Sequence, residues 1–195
     1  MHKQEEQLLI ENFARYLFRQ FIAGLQEIHA SGKAHLDIKI ENVFVDLQQH
    51  VDGMWAPCIQ IAGLGKTTED YLNVSHESVE RCTAQEVLDR GFPYDGQKID
   101  IFQSAFILLA IYANKNFSFG TSDYKKFIDK SSRSKLLKMS NHDLDELFDG
   151  MLNDDLKKRW NIQKIADCAW LNNYGEPNYS NIYTSIDKVI KYMHD

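Results

Sequence analysis

Three side chains that could take part in chemistry lie within one eight-residue segment of the chain. Residues 35–42 read HLDIKIEN, which places a carboxylate at Asp37, an ammonium group at Lys39 and an amide at Asn42. A carboxylate can accept a proton from a substrate that is held beside it, and such general-base catalysis contributes about 10²–10⁴-fold. The segment follows a predicted helix and precedes a predicted strand, so these two elements would have to position it.

The elements on either side of this segment are predicted from the spacing of apolar residues. One apolar face at three- and four-residue spacing predicts a helix over Leu8–Ser31, and Gly32 stands where a helix C-terminal cap is expected. The β-rich triplets Val43–Val45 and Ile59–Ile61 predict a hairpin. Between the triplets, Asp46–Cys58 is polar and contains glycine and proline, so we expect a long loop there.

The rest of the chain is expected to be mainly helical. Residues Gly63–Thr83 show little periodicity and predict a long irregular loop, and such loops in compact domains usually serve a function or move. Ile99–Ala113 is apolar on every side, which predicts a buried helix. Further helical stretches are predicted over Tyr124–Ile128, Leu144–Leu152 and Ile162–Leu171. The predicted fold class is therefore mainly α with a small β-hairpin.

Composition excludes several classes of protein. The 195 residues suit one domain, and 44% hydrophobic with 26% charged residues is ordinary for a soluble globular chain. The net charge of −6 argues against a nucleic-acid partner and against attachment to an anionic membrane. The longest apolar stretch, residues 104–113, is too short to span a bilayer.

Two further kinds of site find no support in the sequence. Residues 63–66, GLGK, lack the G-x-x-x-x-G-K-[ST] spacing of a phosphate-binding loop. The three cysteines form no CxxC pair and the seven histidines show no ligand spacing with them, so neither a zinc site nor a disulfide framework is indicated. Free cysteines favour a reducing compartment, and we expect a cytoplasmic protein, either alone or as part of a larger complex.

Taken in order, these segments resemble the C-terminal lobe of a eukaryotic protein kinase. HLDIKIEN resembles the catalytic loop H-R-D-L-x-x-x-N, in its context between a helix and a strand. With a lysine two residues after Asp37, the sequence is most similar to Ser/Thr kinases of the calmodulin-dependent and related groups. The other matching segments are residues 14–32 (the helix before the loop), 59–62 (the strand before the metal-binding triplet), 84–87 (the A-P-E element), 94–102 (the start of the buried helix), 151–159 (the late arginine element) and Trp170.

The resemblance implies roles for the three chemical side chains. In an active kinase the loop aspartate orients the substrate hydroxyl and accepts its proton, the asparagine binds magnesium, and the lysine favours the charge of the transferring phosphoryl group. Asp37, Asn42 and Lys39 match these positions. ATP and magnesium would be the cofactors of such an enzyme.

The resemblance also implies structural roles for four residues. The ring of His35 is expected to stack in the core, and Asp100 is expected to accept hydrogen bonds from the backbone of the catalytic loop. Glu86 and Arg159 are expected to form a buried ion pair, whose disruption costs about 3–5 kcal/mol.

The sequence departs from the family at positions that matter for catalysis. Gly63-Leu64-Gly65 stands where the family has D-F-G, so Gly63 supplies no carboxylate and we expect no metal site. Leu36 replaces the arginine that receives an activation-loop phosphate, and Val79 replaces a threonine of the substrate-binding segment. The sequence shows no glycine-rich loop, strand lysine or helix glutamate. We therefore expect residues 1–195 to form a single C-lobe domain, with the N-lobe absent and no cofactor.

Three functions remain open at this point. The leading hypothesis is a catalytically inactive, pseudokinase-like domain that acts as a protein-binding scaffold or structural subunit of a larger assembly. The alternative is a fragment of a Ser/Thr protein kinase that transfers the γ-phosphate of ATP to protein hydroxyls. The third is a degenerate remnant without a specific partner.

The scaffold hypothesis predicts where a protein partner would bind. In a whole kinase the N-lobe covers a face that includes the positions of Phe44 and Leu64, and a bare apolar patch there would mark an interaction surface. The competing expectation is that the Asp46–Cys58 loop folds back and covers the patch with Val51, Met54 and Trp55.

Overall fold

The computed structural model describes residues 3–49, 55–74, 94–113, 126–137 and 141–173. These residues are mainly helical with one two-stranded antiparallel sheet, as the sequence predicts. The helices and strands are α1 (Lys3–Ala30), β1 (Val43–Gln49), β2 (Trp55–Ile61), α2 (Gly96–Ala113), α3 (Lys130–Leu137), α4 (His142–Met151), α5 (Ile162–Ala166) and α6 (Ala169–Asn172).

Helix α1 delivers the chain to the candidate catalytic segment, and its end is fixed by a glycine. Gly32 has φ +76°, the left-handed conformation that a Cβ disfavours. Its N–H donates to the carbonyl of His29 (3.0 Å), and the N–H of Lys33 donates to the carbonyl of Ile28 (3.4 Å). This pair of bonds satisfies carbonyls that the last turn leaves unpaired, as in a Schellman motif. The predicted cap at Gly32 is therefore confirmed.

Helix α2 lies at the centre of the core, as predicted. The side chains of Ile107 and Leu108 are 1% and 0% exposed. The helix begins three residues earlier than predicted, at Gly96, because the carboxylate of Asp95 accepts the N–H groups of Gln97 (3.0 Å) and Lys98 (3.2 Å). Such N-terminal capping satisfies backbone donors that have no partner inside the helix.

Most of the predicted long loop between the two β-rich triplets is strand, which corrects the prediction for Asp46–Cys58. The two strands pair in register from Val43 opposite Ile61 to Gln49 opposite Trp55, so only residues 50–54 separate them, and these lie outside the described residues. Pro57 does not interrupt this pairing. Its nitrogen is on the side of β2 that faces away from β1, so the ladder between the two strands loses no hydrogen bond.

The segment after β2 agrees with the predicted irregular loop as far as Val74, beyond which it lies outside the described residues. It contains two short 3₁₀ turns, Leu64–Lys66 and Tyr71–Asn73. An isolated bridge pairs Ala34 with Thr68 and holds this segment next to the start of the catalytic loop.

The later helices follow the predicted pattern with one difference. The predicted stretch Leu144–Leu152 is α4, whereas Ile162–Leu171 is divided into α5 and α6 around Asp167 and Cys168. The predicted stretch Tyr124–Ile128 lies partly outside the described residues. None of the helices in the described ranges has the length and apolar content needed to cross a membrane.

Two apolar clusters hold these elements together. The larger one joins α1, α2, α4 and α6. The smaller one lies beneath the catalytic loop and positions it; its buried members are Ala34, Leu36, Val74, Tyr94 and Ile99.

Candidate functional site

The catalytic-loop segment is anchored from below by Asp100 of α2. The carboxylate of Asp100 is 0% exposed and accepts the backbone N–H groups of His35 (2.7 Å) and Leu36 (2.8 Å). It also accepts a hydrogen bond from Nε2 of His29 at the end of α1 (2.9 Å). This is the contact that the kinase resemblance implies for Asp100. One carboxylate therefore ties α1, α2 and the loop together.

The next two loop residues are held by side chains as well. The Nδ1 atom of His35 accepts the N–H of Asp37 (3.2 Å), and Nε2 of the same ring donates to the carbonyl of Ala62 (2.9 Å). The amide oxygen of Gln103 accepts the N–H of Ile38 (3.2 Å). Each backbone N–H from residue 35 to residue 38 thus has a side-chain acceptor, and His35 contributes as a fully buried structural residue.

Leu36 occupies a strained and apolar position. It has φ +64°, the left-handed conformation that costs a residue with a Cβ about 1–2 kcal/mol. Its side chain is 1% exposed and packs in the smaller apolar cluster. The hydrogen bond to Asp100 and this burial offset the strain. The position where the family has an arginine is therefore a packing position in this protein.

The three predicted chemical residues meet in space, and a fourth joins them. Nζ of Lys39 lies 3.1 Å and 3.0 Å from the two carboxylate oxygens of Asp37. Nδ2 of Asn42 donates to the backbone carbonyl of Asp37 (2.8 Å) and to its Oδ2 (2.9 Å). Nζ of Lys66 lies 3.6 Å from Oδ1 of Asp37. Sequence reasoning noted Lys66 only within the GLGK stretch and did not place it at this carboxylate.

These contacts set the charge of Asp37. Burial by itself raises the pKa of its carboxyl group. The hydrogen bonds from Lys39 and Asn42, together with the positive charges of Lys39 and Lys66, outweigh burial and hold the pKa below the ordinary aspartate value. The carboxyl group of Asp37 is therefore ionised, and its negative charge is balanced by the neighbouring lysines. It is a correspondingly weak proton acceptor.

Asn42 also occupies the space beside Gly63. Gly63 has φ +81°, and a Cβ built there would lie 2.5 Å from both Cγ and Nδ2 of Asn42. A larger side chain at position 63 would therefore displace Asn42 from Asp37. Magnesium needs several oxygen ligands in octahedral geometry. Gly63 offers no side-chain oxygen, so of the two positions that hold magnesium in the family only Asn42 retains one, and these residues do not fit a kinase magnesium ion.

Arg159 is buried, with a side chain that satisfies backbone carbonyls. It is 1% exposed, its Nε donates to the carbonyl of Asn153 (2.9 Å) and its Nη1 donates to that of Lys98 (3.1 Å). Its guanidinium carbon lies 5.0 Å from the centre of the Phe102 ring. Glu86 lies outside the described residues, so its ion pair with Arg159 stays a prediction.

The two residues predicted to form an interaction surface are both exposed. The side chains of Phe44 and Leu64 are 55% and 57% exposed. Leu64 lines a cleft of about 640 Å³ next to the end of α1. Residues 50–54 and the side chain of Trp55 lie outside the described residues, so the competing expectation of a folded-back cover stays open.

A buried polar network was missed by sequence reasoning. Nε of Arg15 donates to the carbonyl of Trp170 (2.7 Å), and Nη2 of Arg15 pairs with Glu11 (2.7 Å). The same Glu11 oxygen accepts bonds from the Trp170 indole (3.1 Å) and from the Asn141 amide (2.5 Å). The i,i+4 spacing of Glu11 and Arg15 was visible in the sequence, but the burial of these two side chains was not. The network joins α1 to α4 and α6.

With the loop geometry established, comparison with known proteins decides the family. The family model described as "Protein kinase domain" matches residues 1–171. The chain belongs to this family. The predicted protein kinase family is thereby confirmed.

Individual kinases share moderate similarity with the chain. It is 30% identical over 174 residues to the SNF1-related protein kinase catalytic subunit alpha KIN12 of Arabidopsis thaliana. The matched region covers 87% of the chain and 33% of that protein. It is 28% identical over 158 residues to the serine/threonine-protein kinase PSK1 of Saccharomyces cerevisiae. That match covers 81% of the chain and 11% of the yeast protein. The chain thus spans one third or less of the length of these two relatives.

A solved structure shares the fold. The crystal structure of the Rad53 kinase domain and SCD2 in complex with AMPPNP matches with a TM-score of 0.61 at 21% identity. The match covers 83% of the chain and 59% of that structure's chain. This likeness concerns the arrangement of the backbone.

Proposed function

We propose that this kinase-like domain is catalytically inactive and acts as a protein-binding scaffold or structural subunit of a larger assembly. The observation that carries the proposal is the contact between Gly63 and Asn42. The family places at position 63 the carboxylate that holds magnesium on the phosphates of ATP. Here a glycine takes that place, and the Asn42 amide fills the space that its side chain would need.

The state of Asp37 supports the same proposal. Phosphoryl transfer in kinases depends almost entirely on positioning and electrostatic stabilisation. Loss of the metal-binding carboxylate removes much of both, and a remaining general base would supply only about 10²–10⁴-fold. Asp37 bound by Lys39, Lys66 and Asn42 instead stabilises the loop that carries it.

The exposed apolar residues support a binding role. The kinase resemblance assigns Phe44 and Leu64 to a face that the N-lobe covers in a whole kinase, and both side chains are more than half exposed. Exposed apolar surface of this kind often marks a contact with another protein. The net charge of −6 favours a protein partner over nucleic acid. Cys58 and Cys168 are free thiols, which accords with a reducing, cytoplasmic location.

The alternative function is Ser/Thr phosphotransfer from ATP. It is favoured by the meeting of Asp37, Lys39 and Asn42 in one place. It is also favoured by the relatives, several of which are described as serine/threonine-protein kinases.

One titration separates the two functions. ATP with Mg²⁺ is added to the 195-residue chain, with thermal unfolding and isothermal calorimetry as readouts and ATP without Mg²⁺ as the control. The inactive domain should show no magnesium-dependent binding, and a phosphotransfer assay on a generic protein substrate should stay at background. Saturable, magnesium-dependent binding that Asn42→Ala abolishes would refute the proposal and favour the kinase function.

A further inference from the structure

The outer edge of β2 is closed by one side chain of α1. The amide of Gln20 donates to the carbonyl of Pro57 (3.1 Å) and accepts the N–H of Ile59 (3.1 Å). A neighbouring strand would make the same two bonds to an antiparallel edge. Since Pro57 has no N–H, Gln20 and the proline together leave this edge of the hairpin little capacity to pair further.

In the part of the chain that the structure describes, the outer edge of β1, unlike that of β2, is not closed by a side chain of α1. Pro57 and Ile59 direct their backbone groups away from β1, so their register partners Leu47 and Val45 must also direct theirs away from β2. The N–H of Leu47 is accepted by the carboxylate of Asp46 (2.8 Å), which agrees with this orientation. Among the described residues, no hydrogen bond reaches the outward N–H and C=O of Val45.

Three large apolar side chains along this edge are exposed, and they occupy both faces of the strand. Val45 and Leu47 are 56% and 50% exposed on the face that β2 presents towards α1, and Phe44 is 55% exposed on the opposite face. Edge strands of this kind are usually protected by charges, prolines or bulges. On β1 the one charged residue is Asp46, whose carboxylate shields the N–H of Leu47.

The charge of the edge indicates the chemistry of a partner. Asp46 is exposed, and Glu41 in the turn before β1 is exposed as well. Neither carboxylate is paired with a cation among the described residues. The chain as a whole carries a charge of −6, which attracts cationic and repels anionic partners.

We infer that the outer edge of β1 binds an extended, basic segment of a partner protein as an added antiparallel strand. This rests on the proposed protein-binding role and specifies its partner. Residues opposite Val45 and Leu47 are apolar and share their face, whereas residues opposite Phe44 and Asp46 are lysine or arginine. The partner segment therefore alternates apolar and basic residues, and its apolar residues exchange backbone hydrogen bonds with Val45.

The experiment uses a fluorescent peptide of alternating valine and lysine, matched to the seven residues of β1. Fluorescence anisotropy with the 195-residue chain should show saturable binding. N-methylation of the valine nitrogens, which face β1, should abolish binding, whereas N-methylation of the lysine nitrogens, which face away, should preserve it. The alternating valine–glutamate peptide should bind at least about tenfold more weakly because its charges repel Asp46.

Two protein variants test the edge from the other side. Val45→Pro removes an outward N–H and should weaken binding by about tenfold or more. Asp46→Lys should transfer the preference from the lysine peptide to the glutamate peptide, which a misfolded protein would not do. Asp154→Lys makes the same charge change at an exposed site remote in sequence and should leave binding within about twofold.

The outcomes separate this inference from the proposed function. Absence of binding, equal binding of the two methylated peptides, or unchanged binding by Val45→Pro and Asp46→Lys would overturn strand addition. If the ATP titration remains negative in that case, the inactive-domain proposal stands. Magnesium-dependent ATP binding would instead overturn the proposed function, whatever the peptides do.

Discussion

Replacing Asp100 by alanine should destabilise the fold by about 4 kcal/mol. The substitution removes the acceptor of two buried backbone N–H groups, those of His35 and Leu36, and also the partner of His29. Each buried donor left unsatisfied costs about 1–3 kcal/mol. The better helix propensity of alanine inside α2 returns about 0.5 kcal/mol. The sum is a large fraction of the 5–15 kcal/mol that stabilises a typical domain.

Equilibrium unfolding in urea, followed by far-UV circular dichroism, measures this loss. Asp100→Asn keeps one acceptor oxygen but turns an amide N–H towards the second donor, so it should cost about half as much. Asp154→Ala removes an exposed carboxylate and should change stability by about 0.5 kcal/mol or less. Amide hydrogen exchange at His35 and Leu36 should accelerate selectively in Asp100→Asn.

A small effect of Asp100→Ala would contradict this dependence of the loop on Asp100. A loss below about 1 kcal/mol, with unchanged exchange at His35 and Leu36, would mean that the loop does not depend on this carboxylate.

Three further predictions concern the loop and the late helices. The pKa of Asp37 is lower in the folded chain than its ordinary value, so its stabilisation is full above the unfolded-state pKa and fades as the pH falls. Asp37→Asn should therefore flatten the loss of stability below about pH 4, and an unchanged urea midpoint-versus-pH curve would contradict this. Gly63→Asp should lower the melting temperature and create no ATP·Mg²⁺ binding, while Asn42→Ala in the same chain should recover part of the loss because the clash is removed. Arg159→Ala removes a buried side chain and the donor to two part-buried carbonyls, and should cost about 3 kcal/mol in urea unfolding. Glu86→Gln in the same background tests the predicted ion pair, since a double-mutant cycle without coupling would exclude it.

The sequence alone determined the features that depend on near neighbours. The eight residues from His35 to Asn42 specified the loop type, the three- and four-residue apolar spacing specified α1, and Gly32 specified its end. The Ile99–Ala113 segment, which has apolar residues on every side and is too short to span a bilayer, specified the buried helix. These signals arise from helical periodicity and local capping, so they are readable without the fold.

Only the tertiary structure decided how distant segments complete the site. Lys66 reaches Asp37, and Asn42 fills the space beside Gly63, because the loop and the turn after β2 are packed together. Gln20 closes β2 because α1 crosses that edge of the hairpin. No spacing rule encodes such contacts, since they depend on how packed elements bring residues far apart in sequence within hydrogen-bond distance. For the same reason the length of the strand beyond Val45 could not be predicted from the sequence, because pairing across the hairpin overrides local polarity there.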